Sequence, residues 1–253
     1  ITKFLLLFLS FKISKTINAQ EKIRLFFFTI LFFILVDFID YDINSADLIE
    51  SREILNLILL ILGINFISSD NSKFKYSFIL LGVLSVLSFF WSVDRAIIFN
   101  LIAICILLYF VINKNYGSVF YILVIITISW LIMAFILQDE FTFFLSNTKS
   151  VLKEISDIHG IIHPQLFSED SNSSRATKTI LVILFSVLFS LNLILKNDIQ
   201  KQNSNIKIFL ILLSIFAFLS YIYALGRSDG GHIRQAFGYP LLFIVILILS
   251  AIF

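Results

Sequence analysis

The stretch that decides the fold is residues 118–138, SVFYILVIITISWLIMAFILQ. It contains no charged residue, and its apolar residues form a nearly continuous run. The run shows neither the roughly 3.6-residue period of an amphipathic helix nor the two-residue period of a half-buried strand. As an α-helix rising 1.5 Å per residue, a run of about 20 residues crosses the roughly 30 Å hydrocarbon core of a bilayer. Residues 118–138 therefore predict a membrane-crossing helix.

Apolar segments of this kind recur along the whole chain, which is 59% hydrophobic and only 14% charged over 253 residues. The predicted fold is all-α, a multi-pass transmembrane helical bundle with about nine membrane helices in a single domain over residues 1–253. The predicted segments are 1–13, 23–39, 54–68, 76–91, 96–112, 118–138, 178–196, 207–225 and 239–253. Because the chain begins at Ile1 and both ends are apolar, we expect it to be a fragment of a longer protein.

Net charge and cysteine content narrow the functional classes. A net charge of +2 gives no indication of nucleic-acid binding, and we predict the lipid bilayer as a partner and no nucleic acid. Cys105 is the single cysteine and lies in an apolar segment. A disulfide framework and a cysteine-based metal site are therefore excluded.

The loops alternate in charge along the chain. When alternate loops are assigned to opposite sides and Lys3 is left out, one side holds ten basic and three acidic residues, and the other holds eight basic and fourteen acidic residues. The positive-inside rule makes the first side cytoplasmic. The acidic loop 40–53, the turn 92–95, a long polar loop at about 139–177 and loop 226–238 are then all predicted to face outward.

Arginine is concentrated on the predicted outer side. The cytoplasmic side carries nine Lys and one Arg, whereas the outer side carries three Lys and five Arg. Arginine offers a planar fork that binds phosphate or carboxylate through two hydrogen bonds. This asymmetry predicts an anionic ligand at the outer face. The alternative is that these arginines pair with the acidic residues around them.

The densest polar motif is residues 225–234, LGRSDGGHIR, between two long apolar segments. We predict that Asp229 and His232 are catalytic, as general base or as base and orienting group. Arg227 and Arg234 are predicted to bind phosphate, and the glycine pair allows the backbone to approach a ligand. The alternative is a polar turn in which Arg227 and Asp229 form a local ion pair.

A second motif is the short outer turn Trp91-Ser92-Val93-Asp94-Arg95. It predicts that segments 76–91 and 96–112 are antiparallel neighbours. Asp94 and Arg95 are candidate substrate-binding residues, with helix capping as the alternative. Trp91 is typical of an anchor at the membrane interface.

The remaining candidate substrate-binding residues are Arg175, His159, His163 and Asp40. His159 and His163 have the i, i+4 spacing of a metal-binding helix, but Gly160 interrupts it and no third ligand is present, so we predict no metal site there. Asp40 follows an early segment and is predicted to bind substrate, with a catalytic base or a solvated charge as alternatives. A divalent cation held at Asp40 is left open as an alternative.

The turn from Trp91 to Asp94 has the pattern Trp-Ser-x-Asp between two apolar helices. This pattern resembles a recurring element of bacterial O-antigen polymerases and O-antigen ligases. The resemblance implies an enzyme that transfers a polyprenyl-linked glycan on the periplasmic side of the inner membrane. Those ligases usually carry their key Arg and His in or beside a long outer loop, whereas the richest motif of this chain is in a short one.

Residues Arg227, Asp229 and His232 have the pattern Arg-x-Asp-x-x-His. It is similar to a stretch in some multi-pass glycosyltransferases of the GT-C type, and an outer Asp after an early helix, here Asp40 or Asp37, also fits them. This resemblance implies a polyprenyl-linked sugar donor at the periplasmic face. The two resemblances together cover about twenty residues, and GT-C enzymes usually have a longer first outer loop.

We therefore predict a membrane glycosyltransferase that moves a sugar or glycan from a polyprenyl phosphate to a glycan or lipid acceptor. Asp229 or His232 would deprotonate an acceptor hydroxyl, and the arginines would stabilise the leaving phosphate. O-antigen polymerase or ligase chemistry, a transporter or flippase for an anionic solute, and a non-catalytic scaffold remain as alternatives. The charges collect at one face and not in mid-segment, which favours the enzyme.

Overall fold

The computed structural model describes residues 2–16, 24, 27–28, 30–33, 49–68, 74–158, 165–195, 204–225 and 230–252. These residues form helices joined by short turns and contain no strand, which confirms the all-α prediction. The continuous helices are α1 (Thr2–Thr16), α2 (Ile49–Ser68), α3 (Phe74–Trp91), α4 (Val93–Ile112), α5 (Tyr116–Leu137), α6 (Glu140–Ile158), α7 (Ser171–Leu195), α8 (Ser204–Leu225) and α9 (Gly230–Ile252).

Four of the described helices are long and apolar enough to cross a membrane. The candidate spans are Val93–Ile112, Tyr116–Leu137, Ser173–Asn192 and Ile206–Leu225. The prediction of about nine membrane helices is not supported. Among the described residues, α2, α3 and α9 contain shorter apolar segments, Ile54–Phe66, Tyr76–Trp91 and Ala236–Ile248.

The chain divides into two compact units. The first unit comprises Ile1–Ser68 and Ile161–Phe253, and the second comprises Ser69–Gly160. The prediction of a single domain over residues 1–253 stays a prediction.

In the second unit, α3 packs against both α4 and α5, and α6 contacts α4 and α5. The approach of α3 to α5 is close at Gly82, where an added Cβ would lie 2.6 Å from Ile125 Cγ2. Phe78 of α3 fills the neighbouring space, with its ring 5.6 Å from that of Phe110 and 6.1 Å from that of Tyr121. Small residues of this kind let membrane helices pack closely without a hydrophobic driving force.

In the first unit, α7, α8 and α9 pack against one another, and α8 also contacts α2. The rings of Phe216 and Tyr239 join α8 to α9 edge to face, with centroids 4.5 Å apart. Phe189 of α7 contacts Phe243 of α9 in the same way at 6.3 Å. These three helices form a cluster that carries Arg175, His232 and Arg234 of the predicted site.

Three helices, α6, α7 and α9, lie wholly or partly in segments that the sequence predicts as loops. The predicted loop 139–177 contains the whole of α6 and the first turns of α7, which begins at Ser171. The predicted loop 226–238 overlaps α9, which begins at Gly230 and includes Pro240 in its interior. Glycine and proline are poor interior helix residues, but glycine is tolerated in a first turn and proline in apolar membrane helices.

Candidate functional site

The predicted turn between α3 and α4 consists of one residue, Ser92. Its backbone is extended, its N–H donates to Ser88 O at 3.0 Å, and its carbonyl accepts from Ala96 N at 2.9 Å. Its hydroxyl donates to Asp94 Oδ1. Asp94 lies in the first turn of α4, where a carboxylate interacts favourably with the helix dipole.

Arg95 is buried, with 3% of its surface exposed. It lies on the packed face of α4 together with Ala96, Phe99 and Ile102. A guanidinium keeps its charge at all physiological pH values, and a charge taken out of water requires hydrogen bonds or an opposite charge nearby. The turn therefore fixes a permanent positive charge, one residue from a carboxylate, at the end of a candidate membrane span.

A polar network one turn further along α4 joins α4 to α3. Ser85 Oγ donates to Asn100 Oδ1, and Asn100 Nδ2 donates to Ser85 O at 3.0 Å and to Ala96 O at 2.9 Å. Ser88 Oγ donates to Ser85 O at 3.1 Å. These bonds satisfy an amide inside an apolar helix pair and hold the register of the two helices around the turn.

The start of α7 is organised by Asp170. Its carboxylate accepts from Ser173 N at 3.2 Å, and its carbonyl accepts from Ser174 N at 2.8 Å. An Asp in this position satisfies N–H groups that have no partner within the helix. The cap places Arg175 in the second turn of α7, where its side chain is exposed.

A single hydrogen bond places the start of α7 at the end of α8. The hydroxyl of Tyr221, near the end of α8, donates to Ala176 O at 3.0 Å. Deeper in the pair, the hydroxyls of Ser190 and Ser214 are 2.6 Å apart, which shows that α7 and α8 are antiparallel. Arg175 therefore lies at the end of the cluster where α8 finishes at Leu225.

The predicted catalytic motif begins where α8 ends. Arg227 and Asp229 lie in residues 226–229, outside the described residues. His232 and Arg234 lie in the first two turns of α9, on either side of Ile233, which is 0% exposed. The prediction that these two residues belong to a loop is wrong, because the helix begins at Gly230.

The start of α9 lies at the same end of the cluster as Arg175. Four residues join Leu225 to Gly230, and α9 packs against both α7 and α8. The N-termini of α7 and α9 therefore lie at one end together with an exposed guanidinium. Helix N-termini and arginine both favour anions, so this end has the chemistry of a phosphate- or carboxylate-binding site.

Three other predicted site residues, His159, His163 and Asp40, lie outside the described residues. Within the part of the chain that the structure describes, no group of three or more His, Cys, Asp or Glu side chains is placed to hold a metal ion. The divalent cation considered at Asp40 stays an untested alternative.

Asn100 and Tyr221 have structural roles that the sequence analysis missed. Asn100 interrupts an otherwise apolar run between Ile97 and Ile112, and a lone amide in such a run indicates a helix–helix hydrogen bond. Tyr221 carries a weaker signal, since a tyrosine near the end of a span is also typical of a lipid-interface anchor.

The chain was compared with models of known protein families, with curated proteins and with solved structures, and no match was found in any of the three.

Proposed function

We propose that the protein is an integral inner-membrane glycosyltransferase that acts on a polyprenyl-phosphate-linked sugar or glycan at the periplasmic face. In this proposal the lipid tail of the donor lies along the apolar helices. The donor phosphate lies at the end of the α7–α8–α9 cluster, and a glycan or lipid acceptor enters from water.

The observation that carries the proposal is the hydrogen bond from Tyr221 to Ala176 O, 3.0 Å long. It brings Arg175, which is 50 residues earlier in the chain than Leu225, to the end where the motif of residues 225–234 begins. A phosphate that leaves a sugar gains negative charge in the transition state, and preorganised cationic groups stabilise that charge. A shared position for Arg175 and the start of α9 supports such a role.

The proposed chemistry assigns distinct roles to these groups. Arg175 and Arg234 bind the phosphate, and His232 accepts the proton of the acceptor hydroxyl as that oxygen attacks the sugar. From the sequence motif, Arg227 is assigned to the same phosphate and Asp229 to the acceptor or to His232. The bond between the sugar and the phosphate oxygen breaks, and the phosphate leaves on the polyprenyl chain.

The buried polar residues favour an enzyme over a charge-coupled transporter. Among the side chains whose burial the structure describes, Arg95 is the only fully charged one that is buried, and it lies at the end of a helix and not in its middle. The other buried polar side chains are neutral, such as Ser190, Ser214 and Asn56. Transporters usually place ionisable groups near the bilayer midplane.

The experiment that tests the proposal is glycan transfer in membrane vesicles that contain the protein and a radiolabelled pool of polyprenyl-linked sugars. Arg227→Ala is expected to abolish transfer, while expression and membrane insertion stay at the level of the unmodified chain. Retained transfer in this variant would remove the motif from the mechanism.

Arg175 provides a matched pair of variants on one helix. Arg175→Lys keeps the charge but loses the planar fork, so transfer is expected to fall at least tenfold. Lys178→Gln removes an exposed charge one turn later on α7 and is expected to leave transfer within twofold. Equal losses in the two variants would indicate a general electrostatic effect and would contradict a specific role for the guanidinium.

A further inference from the structure

Helix α6 differs from the membrane spans in having one apolar and one polar face. Phe141, Phe144, Leu145, Thr148 and Leu152 have the spacing i, i+3, i+4, i+7 and i+11, which places them on one side of the helix. The opposite side is mainly polar, with Ser146, Ser150, Glu154 and Asp157, and also carries Phe143 near its start. The apolar face of such a helix is unfavourable in water, and its polar face is unfavourable in an apolar protein core.

The first two turns of α6 are held by neighbouring helices of the same unit. The ring of Phe144 stacks on that of Phe90 of α3, with centroids 4.4 Å apart and planes 7° from parallel. The ring of Phe141 contacts Trp130 of α5 at 6.1 Å. These contacts fix the start of α6 against the ends of α3 and α5.

Beyond these contacts the apolar face of α6 is uncovered within its unit. Leu145 is 45% exposed, Leu152 is 39% exposed, and Val151 beside them is 37% exposed. Lys149 and Lys153 are exposed one turn apart at the border of this face. Lysine at such a border can extend its ammonium group toward water while its stem covers apolar surface.

The position of α6 in the chain indicates what covers this face. Only two residues, Gln138 and Asp139, separate α6 from α5. Gln138 N donates to Ala134 O at 2.9 Å at the end of α5, and Phe141 N donates to Gln138 O at 3.1 Å across the turn. Of the residues of α5, Ile122 alone is buried, and the side of this candidate span that carries Leu131 and Phe135, 64% and 81% exposed, requires lipid around it. The first turn of α6 therefore lies at the boundary where lipid meets water.

We propose that α6 lies in the plane of the membrane interface, with Leu145, Val151 and Leu152 in the acyl-chain boundary and the serine-rich face in water. The partner is the lipid surface itself. The helix carries both Lys149 and Lys153 and the acidic Glu140, Glu154 and Asp157. The contact is therefore driven by apolar burial and does not depend on anionic headgroups.

Spin labels on single cysteines of the full chain test this placement in bilayers of a zwitterionic phospholipid. In a Cys105→Ser background, labels replace Leu145 and Leu152 on the apolar face, and Ser146 and Ser150 on the opposite face serve as matched controls. Labels at 145 and 152 are expected to collide several-fold more with dissolved oxygen than with a water-soluble nickel complex. Labels at 146 and 150 are expected to show the reverse preference.

Two outcomes would overturn the proposal. Preferential collision with nickel at all four positions would place α6 in water. Protection from both oxygen and nickel at 145 and 152, with immobile spectra, would show that a second copy or another protein covers the face. Adding anionic phospholipid is expected to leave the four values unchanged, and a shift of all four toward oxygen only with anionic lipid would contradict the apolar mechanism.

Discussion

Arg95 and Arg175 are both predicted from the sequence to bind an anion, yet their surroundings differ. Arg95 is 3% exposed on the packed face of α4. Arg175 is exposed in the second turn of α7, one residue from the hydrogen bond that joins α7 to α8. The two side chains have the same chemistry, but one is part of a helix interface and the other is presented to the surroundings.

This difference separates stability from binding. A buried arginine contributes to the fold through the groups packed around it, and its removal leaves a cavity and changes the charge beside Asp94. An exposed arginine contributes little to the fold, so its chemistry is available to a ligand. Four substitutions test this separation.

The largest loss of stability is expected for Arg95→Ala. The free energy of unfolding should fall by roughly 3 kcal/mol or more, because a long side chain is removed from a packed face and Asp94 loses the positive charge next to it. The measurement is the fraction of protein that stays monodisperse in mild detergent after heating. A melting temperature equal to that of the unmodified chain would show that Arg95 is not part of the packed interface.

Asn100→Ala is expected to cost about 1 kcal/mol, because it removes the bonds between α3 and α4 and leaves the Ser85 hydroxyl without its acceptor. The matched control is Asn113→Ala at the exposed end of the same helix, where the amide donates only to Tyr109 O at 2.8 Å. Heating in detergent should separate the two variants. Equal stability of the two variants would contradict the role of Asn100 in holding α3 against α4.

Tyr221→Phe removes one hydroxyl and keeps the buried ring, so the expected loss is about 0.5–1.5 kcal/mol. The loss should be local, and a spin label at Thr177 of α7 should become more mobile. Tyr121→Phe, on an exposed part of α5, is the control and should change neither quantity. An unchanged label in Tyr221→Phe would mean that other contacts hold the α7–α8 end.

Arg175→Ala is expected to change the free energy of unfolding least, by no more than about 0.5 kcal/mol. The same variant should lose most of its glycan transfer. This combination is the opposite of what is expected for a residue of a helix interface. A large loss of stability with unchanged transfer per folded molecule would invert the comparison between Arg175 and Arg95.

The bounds of several helices could be predicted because they follow from the length of the apolar runs in the sequence. Segments 76–91, 96–112 and 118–138 were predicted within three residues of the bounds of α3, α4 and α5 at either end. The start of α9 was missed by nine residues because glycine disfavours a helix interior, although it is tolerated in the first turn, where Gly230 and Gly231 lie. The predicted count of about nine spans is not supported, because four helices among the described residues are long and apolar enough to cross a membrane.

Only part of the candidate site could be predicted from the sequence. The motif of residues 225–234 and the turn at Trp91 are local, so their residue types show directly that polar chemistry is present. The position of Arg175 at the end of α8 depends on a bond between residues 45 positions apart, from Tyr221 to Ala176. The burial of Arg95 depends on how α4 packs. A local sequence pattern therefore predicts neither the position of Arg175 nor the burial of Arg95.

The most direct test of the central claim is mass spectrometry of the lipids that co-purify with the unmodified chain and with Arg175→Ala in mild detergent. The unmodified chain is expected to retain a polyprenyl phosphate or pyrophosphate that carries a sugar, and Arg175→Ala is expected to lose it while keeping bulk phospholipid. Bulk phospholipid alone in both samples would contradict the claim that this end of the α7–α8–α9 cluster binds a lipid-linked phosphate.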